Sequence, residues 1–181
     1  MFTIPNILTF GRILLVPCFL YASLQGSYVA AFVIFVSAAV TDILDGMIAR
    51  RLNLHSRIGA LLDPLADKTL MICGFLFYTF ADRVPVARIP GWLTFAVFIR
   101  DFMIIVVAYL LYTRIQVTKF PPSIPGKLST VMQAVTLAAV IAVNAFMPAQ
   151  VWLAEGLFRV SLVATLFSGW DYLRRTDAML A

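Results

Sequence analysis

Residues 42–68 read DILDGMIARRLNLHSRIGALLDPLADK, placing Asp42, Asp45, Asp63 and Asp67 inside sequence otherwise hydrophobic enough for a bilayer. Intramembrane carboxylates cost on the order of a few kcal/mol each unless they meet cations, so they are functional residues by default. The pairs are spaced i, i+3 and i, i+4, and each pair therefore shares one face of a helix. The basic stretch between them has its midpoint near residues 54 and 55. Asp42 and Asp67 each stand 12.5 residues from it, and Asp45 and Asp63 stand 9.5 and 8.5 residues away. In an antiparallel helix pair rising ~1.5 Å per residue, the four carboxylates fall at two matched depths. No matching set of lysines lies nearby, so an oxygen-rich box for one or two hard cations, Mg²⁺ or Mn²⁺, is expected; zinc would more typically use His or Cys.

Outward from this stretch, the chain of 181 residues is 62% hydrophobic and only 13% charged, with mean hydropathy +0.94. A soluble domain would carry about 25% charged residues, so an integral membrane protein with a single domain over residues 1–181 is expected. The first apolar segment lacks a basic n-region and a small-residue cleavage site and reads as a retained span. Cys18 and Cys73 sit in apolar segments and read as small buried residues rather than a disulfide. His55 is the single histidine, which excludes a histidine triad or a multi-histidine zinc site. The net charge of +5 has no soluble basic domain to act through, so no nucleic-acid partner is expected.

Six apolar segments, at 4–24, 28–50, 58–80, 91–113, 126–147 and 151–173, each approach the ~20 residues a spanning helix needs. Pro85 and Pro90 interrupt the chain after the third, and Pro121, Pro122 and Pro125 after the fourth, as residues unsuited to a helix interior. With the N-terminus inside, Arg50, Arg51, Arg57, Arg114, Lys119, Lys127, Arg174 and Arg175 fall on the inner side. Only Arg83 and Arg88 fall in the outer loops. That bias predicts six transmembrane helices, cytoplasmic termini and a polar active site facing the cytoplasm. Trp92, Trp152 and Trp170 lie near span ends and read as interfacial anchors.

The residues among the aspartates suit phosphate chemistry. Gly46 allows a ligand close to the backbone. Arg50, two turns beyond Asp42, can fork onto a phosphate. Gly59 stands one turn before Asp63, and the small Ala49, Ala60 and Ala66 leave room for a bulky substrate or for close helix packing. A lone membrane aspartate is often only a packing group; four at matched depths beside Arg50 argue against that reading.

At these residues the sequence resembles the CDP-alcohol phosphatidyltransferase family, whose signature D-x2-D-G-x2-A-R-x8-G-x3-D-x3-D is met at every fixed position: Asp42, Asp45, Gly46, Ala49, Arg50, Gly59, Asp63 and Asp67. The resemblance extends through the six apolar segments and the N-terminal IPNILTFGRILLVP run. It implies a six-helix membrane fold, commonly a homodimer, that moves a phosphatidyl group from CDP-diacylglycerol to an alcohol and releases CMP. It also implies that Asp42, Asp45, Asp63 and Asp67 hold two metal ions, with Asp67 also the general base. Gly46, Ala49, Arg50 and Gly59 would line the CDP site.

Within the family the likeness is to glycerol-accepting branches. Phosphatidylglycerophosphate synthases typically show Arg-Glu where this chain has Arg100-Asp101, a further arginine where it has Ala108, and G-K-x-K-T where it has Gly126-Lys127-Leu128-Ser129-Thr130. In all three respects the chain is more similar to eukaryotic-type cardiolipin synthases, which implies phosphatidylglycerol as acceptor. Glycerol 3-phosphate is the alternative, with serine or inositol phosphate behind it. Arg12, Arg100 and Lys127 are the acceptor-site candidates, although Arg100 can equally pair with Asp101 and Lys127 can snorkel. A divalent-cation transporter is the non-enzyme alternative, but its carboxylates would lie nearer the midplane. A bacterial inner membrane is the expected location, with a mitochondrial membrane as the alternative.

Overall fold

The computed structural model of the chain describes residues 4–52, 59–115 and 123–180, with side chains described at 11, 13–41, 68–110, 113 and 123–176. The described elements are all helices: α1 (Ile4–Leu24), α2 (Tyr28–Leu52), α3 (Gly59–Phe80), α4 (Gly91–Ile115), α5 (Ile124–Ala145) and α6 (Val151–Leu180). They match the six apolar segments of the sequence to within two residues at every end but the last, and two of the differing ends have a clear physical reason. Helix α5 begins at Ile124 because the Ser123 hydroxyl accepts the Gly126 amide at 3.0 Å, an N-cap bond. Pro125 thus falls in the first turn, where its missing N–H leaves no gap. Helix α6 continues beyond 173 through DYLRRTD, where Arg175 Nε pairs with Asp171 Oδ2 at 2.9 Å, one turn back. Cations near a helix C-terminus also interact favourably with its dipole.

The chain divides into two compact units, residues 1–88 with 137–151, and residues 89–136 with 152–181. In the first unit α1 packs against both α2 and α3. Its core is aromatic: Phe19 lies 6.1 Å from Phe35 and 6.4 Å from Tyr78, measured between ring centroids, and all three are buried. Gly74 lets α3 approach α5 closely, since a Cβ there would collide with Leu137 Cδ2.

The loop after α3 is pinned to three helices. Tyr28 donates to the Arg83 carbonyl at 2.7 Å, and Arg83 Nη1 in turn donates to the Leu24 carbonyl at the end of α1 at 3.0 Å. Asn144 of α5 accepts the amides of Val86 and Ala87 at 3.1 and 3.3 Å and donates to the Ala87 carbonyl at 2.9 Å. This leaves loop residues Val84 and Ala87 buried. Asn144→Ala strands two amides and a carbonyl, and a part-buried group left unmet costs roughly 1–3 kcal/mol. The variant is therefore expected to lose about 2–3 kcal/mol in denaturant unfolding from detergent. An unchanged midpoint would mean that the loop is held by its own apolar contacts.

The second unit has polar side chains among the apolar ones of its interior and an apolar exterior. Eight of the nine described buried polar or charged side chains belong to it: Thr94, Arg100, Ser129, Gln133, Thr136, Ser161, Thr165 and Ser168. Its exposed side chains include Ile99, Phe102, Ile105 and Tyr109 of α4 and Val163, Leu166, Phe167 and Trp170 of α6. Hydrocarbon solvates such an exterior, whereas water would drive it to aggregate. Exposed Trp152 and Trp170 stand 18 residues apart on α6, about 27 Å along a helix and close to the hydrocarbon thickness of a bilayer. Among the described residues, three helices are long and apolar enough to cross a membrane: Gly91–Leu110, Ile124–Ala145 and Val151–Thr176. The stretches Ile13–Leu24 of α1, Tyr28–Thr41 of α2 and Lys68–Phe80 of α3 are apolar as well. The molecule is an integral membrane protein.

Candidate active site

Helix α2 runs unbroken through positions 42, 45, 46, 49 and 50, and α3 runs through 59, 63 and 67. The helical spacing that the signature requires is therefore present on both sides, with 42 and 45 on one face of α2 and 63 and 67 on one face of α3. Both helices belong to the first unit. The side chains of Asp42, Asp45, Gly46, Ala49, Arg50, Gly59, Asp63 and Asp67, and that of Arg12 in α1, lie outside the described residues.

The second unit contains a described arginine centre. Arg100 enters α4 nine residues from its start and is buried. Its Nε donates to Ser168 Oγ at 3.1 Å and Nη2 to the same oxygen at 2.6 Å. Nη2 also reaches the Gly126 carbonyl at 3.4 Å, and Nη1 donates to Asp101 Oδ1 at 2.8 Å. Among the described residues, four of the five guanidinium N–H bonds are thus engaged, and one on Nη1 is left over. The Arg100–Asp101 pairing read from the sequence is present, as an ion pair whose two side chains are 9% and 18% exposed. Removing one member of so buried a pair leaves an uncompensated charge and costs roughly 3–5 kcal/mol.

Lys127 differs from Arg100. It lies in the first turn of α5 and is exposed, with its backbone amide on the Ser123 carbonyl at 3.1 Å. Ser129 is fully buried in a hydroxyl–amide cluster: its Oγ is 3.3 Å from Thr165 Oγ1 and accepts Gln133 Nε2 at 3.2 Å. Sequence reasoning did not anticipate this polar seam. Its signal was present in Ser129, Gln133 and Thr136 on α5 and in Ser161, Thr165 and Ser168 on α6, both at i, i+4, i+7 spacing.

Similarity to known proteins supplies the chemistry. A family model described as CDP-alcohol phosphatidyltransferase matches residues 2–167, which include all eight signature positions. Among curated proteins, a CDP-diacylglycerol–glycerol-3-phosphate 3-phosphatidyltransferase of Aquifex aeolicus is 34% identical over 180 residues, covering 98% of this chain and 97% of the relative. The protein of that same description from Escherichia coli is 34% identical over 185 residues, covering 99% and 97%. A cardiolipin synthase (CMP-forming) of Rattus norvegicus is 32% identical over 188 residues, covering 94% of this chain and 60% of the relative. With helices through both halves of the signature and a family match across most of its length, the chain belongs to the CDP-alcohol phosphatidyltransferases and is an integral membrane enzyme of phospholipid biosynthesis.

Proposed function

We propose that this enzyme transfers the phosphatidyl group of CDP-diacylglycerol to phosphatidylglycerol, forming cardiolipin and releasing CMP. The observation that carries the acceptor choice is the committed state of Arg100, which has one N–H to spare. A phosphomonoester such as glycerol 3-phosphate carries nearly two charges and favours forked, multiply cationic binding. A phosphodiester carries one charge and needs less. In the helices around Arg100, position 108 supplies a methyl and 129 a buried hydroxyl, where two further cations would suit the monoester. Arg100 is read as the contact to the acceptor's charge, with Lys127 and Arg12 as secondary contacts. Glycerol 3-phosphate is the second reading, favoured by the match to 97% of the length of the Aquifex and Escherichia relatives.

Asp42, Asp45, Asp63 and Asp67 form an all-carboxylate donor set that fits Mg²⁺ or Mn²⁺ and not a softer ion. Two such ions would supply charge neutralisation at the non-bridging phosphate oxygens and at the departing CMP. Gly46, Ala49, Arg50 and Gly59 accommodate the CDP moiety, the glycines by admitting it close to the backbone and Arg50 by binding phosphate. Asp67 takes the proton from the acceptor hydroxyl as that oxygen bonds to phosphorus and the bond from phosphorus to the CMP oxygen breaks. This assignment requires Asp67 to be spared full coordination, because a carboxylate bound at both oxygens is a weak base.

The family match spans parts of both compact units, which supports reading residues 1–181 as one catalytic domain. The further reading is of a homodimer in a bacterial inner membrane, with six spanning helices and cytoplasmic termini, the topology being supported by the eight-to-two distribution of basic residues in the loops and tail. The test is lipid mass spectrometry on purified protein given CDP-diacylglycerol, Mg²⁺ or Mn²⁺, and each acceptor alone. Cardiolipin from phosphatidylglycerol is expected. Phosphatidylglycerophosphate from glycerol 3-phosphate, with no cardiolipin, would replace the first reading with the second.

A further inference from the structure

We infer that Ser168 is a positioning residue for acceptor recognition, because its hydroxyl fixes which edge of the Arg100 guanidinium is left to meet the acceptor's anion. The inference rests on the reading of Arg100 as the acceptor contact. One oxygen, Ser168 Oγ, takes both Nε and Nη2 at 3.1 and 2.6 Å, and this clasps the inner edge of the planar group. Asp101 draws Nη1 to the other side at 2.8 Å. An arginine side chain has many rotamers, and these two anchors reduce them to one.

The backbone around the clasp is cut to fit. At Gly169 a Cβ would stand 3.5 Å from Met103 Cε and 3.9 Å from Arg100 Cγ, so α6 meets α4 in ordinary contact at that position. At Gly126 a Cβ would stand 2.8 Å from Ser123 Oγ and 3.4 Å from Arg100 Nη2, so the missing side chain makes room for the Ser123 cap, and the capped first turn of α5 lies against the guanidinium. Ser168 is 1% exposed, so water has little room to replace its hydroxyl. Ser161, two turns earlier on the same face of α6, is equally buried, but among the described residues its hydroxyl has no hydrogen-bond partner. The two serines therefore differ in function although they match in burial.

The experiment measures initial rates of CMP release in mixed micelles, varying phosphatidylglycerol and CDP-diacylglycerol separately. Ser168→Ala is expected to raise the acceptor KM about tenfold while leaving the donor KM within about twofold, the loss appropriate to hydrogen bonds on a charged group. Arg100→Lys is expected to raise the acceptor KM at least as much. The double variant should be no worse than Arg100→Lys alone, because Ser168 acts through Arg100. Ser161→Ala should leave both constants unchanged. A Ser168→Ala enzyme with neither KM altered, or with both altered alike, would overturn the positioning role; if Arg100→Lys still raised the acceptor KM alone, the acceptor reading would survive. An Arg100→Lys enzyme with a normal acceptor KM would remove Arg100 from the acceptor site and the inference with it.

Discussion

Asp67→Asn is expected to abolish turnover while leaving the protein folded and able to bind CDP-diacylglycerol. Asparagine has the shape of aspartate and one oxygen of similar placement, but it cannot accept a proton at neutral pH. Losing a positioned general base lowers rates by about 10²- to 10⁴-fold. Losing a charge from the carboxylate set adds to that, so activity should fall to the limit of detection. Asp67→Glu keeps the base but moves it by a methylene, and misplacement of about 1 Å already costs on the order of 10²-fold. The measurement is CMP release at saturating donor, with donor binding followed separately. Asp67→Asn activity within tenfold of the parent would show that another group takes the proton. A variant that no longer binds the donor would show that Asp67 serves binding before chemistry.

The helices were legible because bilayer hydrophobicity is read over windows of about 20 residues and needs no tertiary information. The errors came where local chemistry outweighed composition. Pro125 looked like a helix breaker, but Ser123 two residues earlier supplies the cap that makes the first turn a comfortable place for it. The end of α6 looked like tail because DYLRRTD is polar, yet Asp171 and Arg175 pair at helical spacing. At the site, Arg100 and Asp101 were legible as neighbours in sequence. Ser168 was not, because it lies 68 residues from Arg100 and a serine in an apolar helix carries no individual signal. Ser129 was legible as a departure from a lysine, but its burial against Gln133 and Thr165 needed the fold. The signature aspartates were the reverse: spacing alone carried their chemistry, and the structure adds the helical backbone beneath them.

Metal removal should act on both activity and stability, and the second effect is the more informative. Four carboxylates crowded into apolar helices repel one another and resist burial unless cations meet them. Chelation by EDTA is therefore expected to reduce CMP release by at least about 10³-fold, as several kcal/mol of transition-state stabilisation is withdrawn at 1.36 kcal/mol per decade. Mg²⁺ or Mn²⁺ should restore it. The same ions should stabilise the detergent-solubilised enzyme without any substrate, by about 2.7 kcal/mol at a hundredfold excess over Kd, seen as a rise in unfolding temperature. Asp42→Ala should weaken that thermal shift and raise the metal concentration needed for half-maximal rate. Metal-independent turnover would refute the assignment of these aspartates. Metal-dependent turnover with no thermal shift would place the ions on the diphosphate of the donor instead, arriving with substrate rather than held beforehand by Asp42, Asp45, Asp63 and Asp67.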